Sequence, residues 1–151
     1  MTPKSDMTVR RAAISDIPQI AVLESECFSA PWSEDALLGT MERDEALFFV
    51  AECAGEICGY IGSYYVLDEG YITNVAVSEK MRRHGVGREL ITALKKEAEE
   101  KKLSFLTLEV RVGNTAAITL YSSLGFENLG RRPRFYRDPT EDAYIMTWNI
   151  T

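Results

Sequence analysis

The sequence predicts an α/β fold: a mixed central sheet flanked by helices, in the order β-α-α-β-β-β-α-β-α-β-β. Three observations carry that prediction. Residues 47–77 hold three apolar runs, and the first two are joined at Ala54-Gly55 in the manner of a hairpin. Residues 85–102 place Val86, Leu90, Ile91, Leu94 and Ala98 on one helical stripe. That helix lies between apolar runs at 71–77 and 103–110, which makes a strand–helix–strand unit. A hairpin-rich first half feeding such a unit calls for a sheet with both antiparallel and parallel neighbours.

The elements follow in order. Residues 8–13 read as the first strand. Ser15 is placed to cap a helix that tolerates Pro18 in its first turn. Ile20, Leu23, Cys27 and Phe28 then recur at helical spacing until Pro31 breaks the pattern. Ser33 caps the next helix, with Glu34 and Asp35 at its positive end and Trp32 and Leu37 at the positions of a hydrophobic staple. Strands are expected over 47–53, 57–67 and 71–77. The helix 85–102 turns its charged residues, among them Lys95, Lys96, Glu99 and Glu100, to solvent. In the strand 103–110, Leu106, Leu108 and Val110 alternate, so Glu109 points to the opposite face. Asn114 caps a last helix that Gly125-Phe126 ends as a Schellman motif, and strands near 126–136 and 143–149 close the chain.

The totals set bounds. A chain of 151 residues has the length of one domain, able to bury a core without staples, and no linker or repeat divides it. The expected organisation is thus one domain over 1–151, with residues 1–6 flexible. With 46% hydrophobic and 26% charged residues the composition is that of a soluble globular protein. The longest apolar run, 46–51, is too short to span a bilayer, and Met1 to Asp6 lack the apolar stretch of a secretory signal. No membrane partner and a cytoplasmic location are expected. Cys27, Cys53 and Cys58 have no zinc-ligand spacing, and His84 is the single histidine, so no metal is expected. Cys53 and Cys58 flank the hairpin turn and read as reduced thiols packed like small hydrophobes. A net charge of −6 argues against direct nucleic-acid binding. The charge is uneven: eight acids and one base lie between Asp16 and Glu45, and four arginines and no acid between Arg131 and Arg137. Most of these charges read as solvated faces; an acidic rim that draws in cations is the functional alternative.

The most informative stretch runs from Val75, Ala76 and Val77 through Arg82, Arg83, His84, Gly85, Val86, Gly87 and Arg88. A strand ends, glycines follow and a helix begins. A helix N-terminus offers unpaired N–H groups and partial positive charge, which suit a phosphate, and glycine lets a ligand approach the backbone. A nucleoside-triphosphate loop requires Gly-Lys-Ser/Thr, and Val86-Gly87-Arg88 does not supply it. A dinucleotide fingerprint requires a third glycine where Leu90 stands, although Glu109 lies at a suitable distance for a ribose-binding acid. Taken alone, the stretch also reads as a plain glycine-rich turn.

Arg82-x-x-Gly85-x-Gly87 after an apolar strand resembles the acetyl-CoA signature of the GNAT acetyltransferase superfamily. The run from Asn114 through Leu120-Tyr121 to Leu124-Gly125-Phe126 resembles that family's second motif. Pro31-Trp32-Ser33-Glu34, Leu108-Glu109-Val110-Arg111 and residues 141–146 further resemble the bacterial ribosomal-protein-alanine N-acetyltransferases, the RimI type. The resemblance runs from the first strand to the C-terminus and implies a GNAT fold. Residues 131–136 are similar but less regular, and Arg134-Phe135 departs from the usual residues before the tyrosine.

The resemblance implies acetyl transfer from acetyl-CoA to an amine. It implies Glu109 as the base, Tyr121 as the acid that protonates the departing thiolate, and Asn114 as a contact to the cosubstrate. It places residues 75–77 and 82–88 around acetyl-CoA and Trp32 and Tyr136 on the acceptor side. A carboxylate and a tyrosine suit these proton transfers. Each residue also has a plain structural reading: Glu109 facing solvent or paired with an arginine, Arg111 being close by, Tyr121 a core tyrosine with a satisfied hydroxyl, Asn114 a helix cap. An α-amine, with a pKa near ~8, is neutral in roughly one molecule of ten at pH 7, and a lysine near ~10.4 in roughly one of 2,500. A protein N-terminus is the better match to a carboxylate base. The implied acceptor is the N-terminal alanine of a small-subunit ribosomal protein. A small-molecule amine, a lysine side chain and a non-catalytic acetyl-CoA-binding module are the alternatives.

Overall fold

In the computed structural model, which describes residues 7–150, the apolar patterns resolve into seven strands and four α-helices. They are β1 Met7–Arg11, α1 Ile17–Cys27, α2 Glu34–Met41, β2 Phe49–Cys53, β3 Glu56–Val66, β4 Glu69–Val77, α3 Val86–Glu100, β5 Phe105–Arg111, α4 Thr115–Ser123, β6 Glu127–Tyr136 and β7 Glu141–Asn149. This is the order read from the sequence; the expected flexible start over 1–6 lies outside the described residues. No helix among the described residues is long and apolar enough to cross a membrane.

Local chemistry explains most boundaries. Ser33 Oγ accepts the Ala36 N–H at 3.1 Å and starts α2. Ala54 and Gly55, at φ +54° and +83°, make the tight turn between β2 and β3. Gly125, at φ +95°, lets the Phe126 N–H reach back to the Tyr121 carbonyl at 3.0 Å and its own N–H reach Ser122 at 3.1 Å, the two bonds of a Schellman motif. Ser15 does not cap α1. A 3-10 turn over Ile14–Asp16 precedes that helix, and Asp16 takes the Ala13 N–H at 2.7 Å and the Arg10 guanidinium at 2.8 and 2.9 Å. Asp16 occupies the N-cap position of α1, and its carboxylate bonds backward to Ala13 and Arg10 and makes no side-chain bond to the helix. Helix α1 also stops at Cys27, with Phe28 already extended at φ −130°.

The sheet order is β1-β2-β3-β4-β5-β7-β6, antiparallel throughout except between β4 and β5. The parallel pair is short: Glu69, Gly70 and Tyr71 face Phe105, Leu106 and Thr107, and pairing ends there. Just past that point the β3–β4 register shifts between Gly62 and Ser63, and a bulge of this kind bends a strand. The C-terminal halves of β4 and β5 therefore part.

Each face of the sheet carries its own core. Helix α3 covers one face with Val86, Leu90, Ile91, Leu94 and Ala98, against Ile61, Ile72, Leu106 and Leu108; Tyr121 of α4 joins this cluster. Helices α1 and α2 cover the other with Ile17, Ile20, Leu23 and Leu37, against Phe48, Val50 and Tyr60. Cys53 and Cys58 are buried free thiols whose sulfurs lie 2.8 Å apart, and burial pushes Cys58 up to about 12.

Candidate active site

Where β4 and β5 part, the sheet opens into a cleft of about 670 Å³. One wall carries Thr73, Asn74 and Val75 of β4, and the other carries Glu109, Val110 and Arg111 of β5. Beyond Tyr71, β4 has no partner on its β5 side among the described residues, so that edge is open to a ligand that can pair with a strand. Trp32, Asn114, Tyr121 and Tyr136 also line the cleft, so six of the residues singled out by sequence meet in one cavity: these four with Val75 and Glu109.

Alternation along β5 sends Leu106, Leu108 and Val110 into the core under α3, and Glu109 to the opposite face. Glu109 Oε2 accepts the Arg132 Nε at 3.2 Å, so the carboxylate is paired as well as open to the cleft. Tyr136 stands close by. Its hydroxyl is pushed up to about 12, first by burial and then by the negative charge of Glu109, with Arg111 working the other way. The Arg111 guanidinium stacks 4.4 Å from the Tyr136 ring centre, and the same side chain donates to the Arg137 and Pro139 carbonyls and to Glu141. It thereby ties the β6–β7 connection against the cleft.

Tyr121 enters from α4, its ring 6.0 Å from that of Phe126. The hydroxyl makes no hydrogen bond to any described residue, and it is not sealed from solvent: the one sealed, unpartnered side-chain atom among the described residues is Ser78 Oγ. A core tyrosine ordinarily has a satisfied hydroxyl; this one faces open space. Burial, and then Tyr136, raise its pKa, so it holds its proton beyond the usual tyrosine range.

The glycine-rich loop follows the end of β4 and leads into α3; none of residues 82–88 lines the cleft itself. Arg83 and Gly85 both have positive φ, +68° and +82°, and Gly85 stands at the N-cap of α3 with no side chain to cap it. Glu89 N–H to Gly85 is the first bond of the helix at 3.0 Å, leaving the preceding N–H groups as donors. A Cβ on Gly87 would enter the gap between β4 and α4, 3.2 Å from Leu120 Cδ2 and 3.9 Å from Val77 Cγ2. This cradle fits a diphosphate. Arg82 and Arg88 are partly committed, the first to the Val77 carbonyl at 3.2 Å and the second to Ser123 Oγ at 2.9 Å. His84 Nδ1 lies 3.0 Å from the Arg82 carbonyl, and Val86 is buried under the helix. Ala76 packs in the core beneath α1, so only its backbone is available at the open edge. Asn114 Oδ1 accepts the Ala117 N–H at 3.2 Å, so the cap reading of this residue holds while it also lines the cleft.

Sequence reasoning missed Glu24. It is fully buried on α1, lines the cleft, and accepts hydrogen bonds from the Tyr60 hydroxyl, Asn74 Nδ2 at 2.6 Å and the Trp32 N–H at 2.8 Å. The available signal was an acid one residue from Leu23 on the apolar stripe of Ile20 and Cys27. The arginine that pairs with Glu109 is Arg132 and not the nearby Arg111, which is engaged by Arg137, Pro139 and Glu141; nothing local in the sequence links Arg132 to Glu109.

The chain is similar to known proteins along nearly its whole length. The [ribosomal protein bS18]-alanine N-acetyltransferase of Escherichia coli K12 is 34% identical over 146 residues, covering 95% of this chain and 98% of that protein. An N-alpha-acetyltransferase of Sulfurisphaera tokodaii is 32% identical over 151 residues, covering 91% and 90%. The crystal structure of the ribosomal-protein-S18-alanine N-acetyltransferase from Escherichia coli superposes with a TM-score of 0.89 over 96% of this chain and 94% of that one. Residues 17–126 match the acetyltransferase (GNAT) family. With residues 17–126 matched by that family and relatives similar along nearly the whole chain, the chain belongs to the GNAT family and is an acetyl-CoA-dependent N-acetyltransferase.

Proposed function

We propose that the protein acetylates the α-amino group of a protein N-terminus, the N-terminal alanine of a small-subunit ribosomal protein, and that residues 1–151 act as one N-acetyltransferase domain. The observation that carries this reading is the meeting of Glu109 and the unbonded Tyr121 hydroxyl in a cleft that passes through the sheet. The similarity to the E. coli enzyme named for bS18 alanine supports the acceptor.

In this reading acetyl-CoA supplies the activated thioester. The N–H groups at the start of α3, with Arg82, Arg83, His84 and Arg88 around them, hold its diphosphate. The backbone of Val75, Ala76 and Val77 and the side chain of Asn114 align the arm that leads to the thioester. Trp32 and Tyr136 flank the acceptor. Glu109 takes a proton from the amine, directly or through water, as nitrogen attacks the carbonyl carbon. When the carbon–sulfur bond breaks, the Tyr121 hydroxyl gives its proton to the thiolate. The products are an N-acetylated terminus and free CoA thiol, and the two residues return to their starting states by exchanging protons with solvent.

The test is an acetyl-transfer assay on two forms of one peptide. One form has a free N-terminal alanine; the other has a blocked N-terminus and one internal lysine. The first is expected to react faster. Equal rates would refute the N-terminal assignment, turnover of free small amines alone would favour a metabolite acceptor, and binding without transfer would mark a non-catalytic module.

A further inference from the structure

Between α1 and α2 the chain runs as an irregular segment, and Phe28, Ser29, Ala30 and Trp32 of this segment line the cleft. One residue grips both its ends. The Glu24 backbone carbonyl accepts the Phe28 N–H at 2.9 Å, and the Glu24 carboxylate accepts the Trp32 N–H at 2.8 Å. The other carboxylate oxygen takes the Tyr60 hydroxyl from β3 and Asn74 Nδ2 from β4. The irregular wall is thus fastened through one side chain to two central strands.

Burying this carboxylate is costly. Glu24 is 0% exposed and has no cation within ion-pair distance among the described residues, so three neutral donors alone offset its desolvation. An apolar residue on this stripe of α1 would pack more cheaply. The expense has a counterpart in function, because both groups that Glu24 holds, Trp32 and Asn74, form the cleft. Asn74 lies on the β4 wall, across from Glu109 on β5.

We propose that Glu24 is a positioning residue for the acceptor: it fixes the Phe28–Trp32 wall and the Asn74 amide against the sheet so that an incoming N-terminal peptide meets a preformed surface. The proposal rests on the N-terminal acceptor reading above. It requires no direct contact between Glu24 and the amine, since both carboxylate oxygens are engaged.

Isosteric replacement separates this role from one that needs charge. In Glu24→Gln the amide oxygen can stay on the Trp32 N–H, while its NH2 faces Tyr60, whose hydroxyl can turn to accept, and Asn74, whose amide can flip. The wall stays tethered. Glu24→Ala loses the tether. Because that variant leaves three buried donors unmet, a second tether-free variant, Glu24→Met with Tyr60→Phe, replaces the pair by apolar groups and limits the cost to folding.

Two measurements are made on each variant. The first is steady-state kinetics with an N-terminal alanine peptide, together with acetyl-CoA affinity. The second is acrylamide quenching of Trp32 in a Trp148→Phe background, which leaves Trp32 as the sole indole of the two in the chain. The tether-free variants are expected to raise peptide KM by about tenfold or more, the usual weight of a hydrogen bond to a charged group, with kcat and acetyl-CoA affinity unchanged. Trp32 quenching is expected to rise with KM, and Glu24→Gln is expected to restore both. Unchanged quenching in a folded tether-free variant would overturn the proposal, as would a Glu24→Gln that fails as badly as Glu24→Ala. A wild type inactive on every N-terminal peptide would sink the acceptor assignment alone; quenching would then still decide whether Glu24 holds the wall.

Discussion

Tyr121→Phe removes one oxygen from the cleft and leaves the ring in place against Phe126. Since the hydroxyl bonds to no described residue, its loss breaks no internal hydrogen bond and uncovers no buried partner. The stability change is expected within about 0.5 kcal/mol, a melting-temperature shift of at most about 2 °C for a chain of this size. Catalysis is expected to respond very differently. A positioned general acid is worth about 10²- to 10⁴-fold, or about 2.7 to 5.5 kcal/mol of barrier. Burial raises the Tyr121 pKa, so the hydroxyl stays protonated past its ordinary value near ~10. Wild-type kcat/KM should therefore rise with pH through the α-amine pKa near ~8 and show no fall from Tyr121 before about pH 10. The assay is kcat by thiol release, with acetyl-CoA affinity and melting temperature measured on the same preparation. A variant with near-normal kcat would remove Tyr121 from the mechanism. A variant with intact kcat and clearly lowered stability would instead restore the core-tyrosine reading.

Gly87→Phe should lower the melting temperature of the free protein, since a Cβ alone would stand 3.2 Å from Leu120 Cδ2, and abolish the rise that acetyl-CoA gives the wild type, because a ligand stabilises only the state it binds; an undiminished shift would put the diphosphate elsewhere. Asp16→Asn should cost about 1.5 kcal/mol at pH 7 by urea unfolding, the low end for a hydrogen bond to a charged group because Arg10 is partly exposed. Arg10 holds the Asp16 carboxyl below its ordinary range, so the wild-type advantage is complete above the unfolded value near ~4 and shrinks as pH falls through the lower folded value. An advantage that grew toward pH 3 would refute that account.

Much of this was legible in the sequence because it is local. The stripe from Val86 to Ala98, the alternation of Leu106, Leu108 and Val110, the Ser33 and Asn114 caps and the Gly125 terminator each depend on residues within a few positions of one another. The glycine-rich loop and the second motif resembled the family whose fold was then found. The same alternation put Glu109 on the face away from α3. Where local reasoning failed it met a distant partner: Ser15 lies in a 3-10 turn before α1, and Arg10 on β1 holds Asp16 of that turn.

The rest waited on tertiary structure. No pattern within β4 or β5 says that their pairing ends at Tyr71 and Thr107, because that depends on a register shift against β3 and on where α3 returns the chain. The parting of those strands makes the cleft. Arg132 reaches Glu109 across the β5–β7–β6 order, and Glu24 collects donors from positions 32, 60 and 74, which lie on three separate elements or connections. Tyr121 shows the division most clearly. Sequence placed a tyrosine on an apolar helical stripe, where a satisfied hydroxyl in the core is the ordinary outcome. Whether a partner stands within hydrogen-bonding reach is a property of three-dimensional neighbours, and among the described residues none does, so the proton faces the cleft.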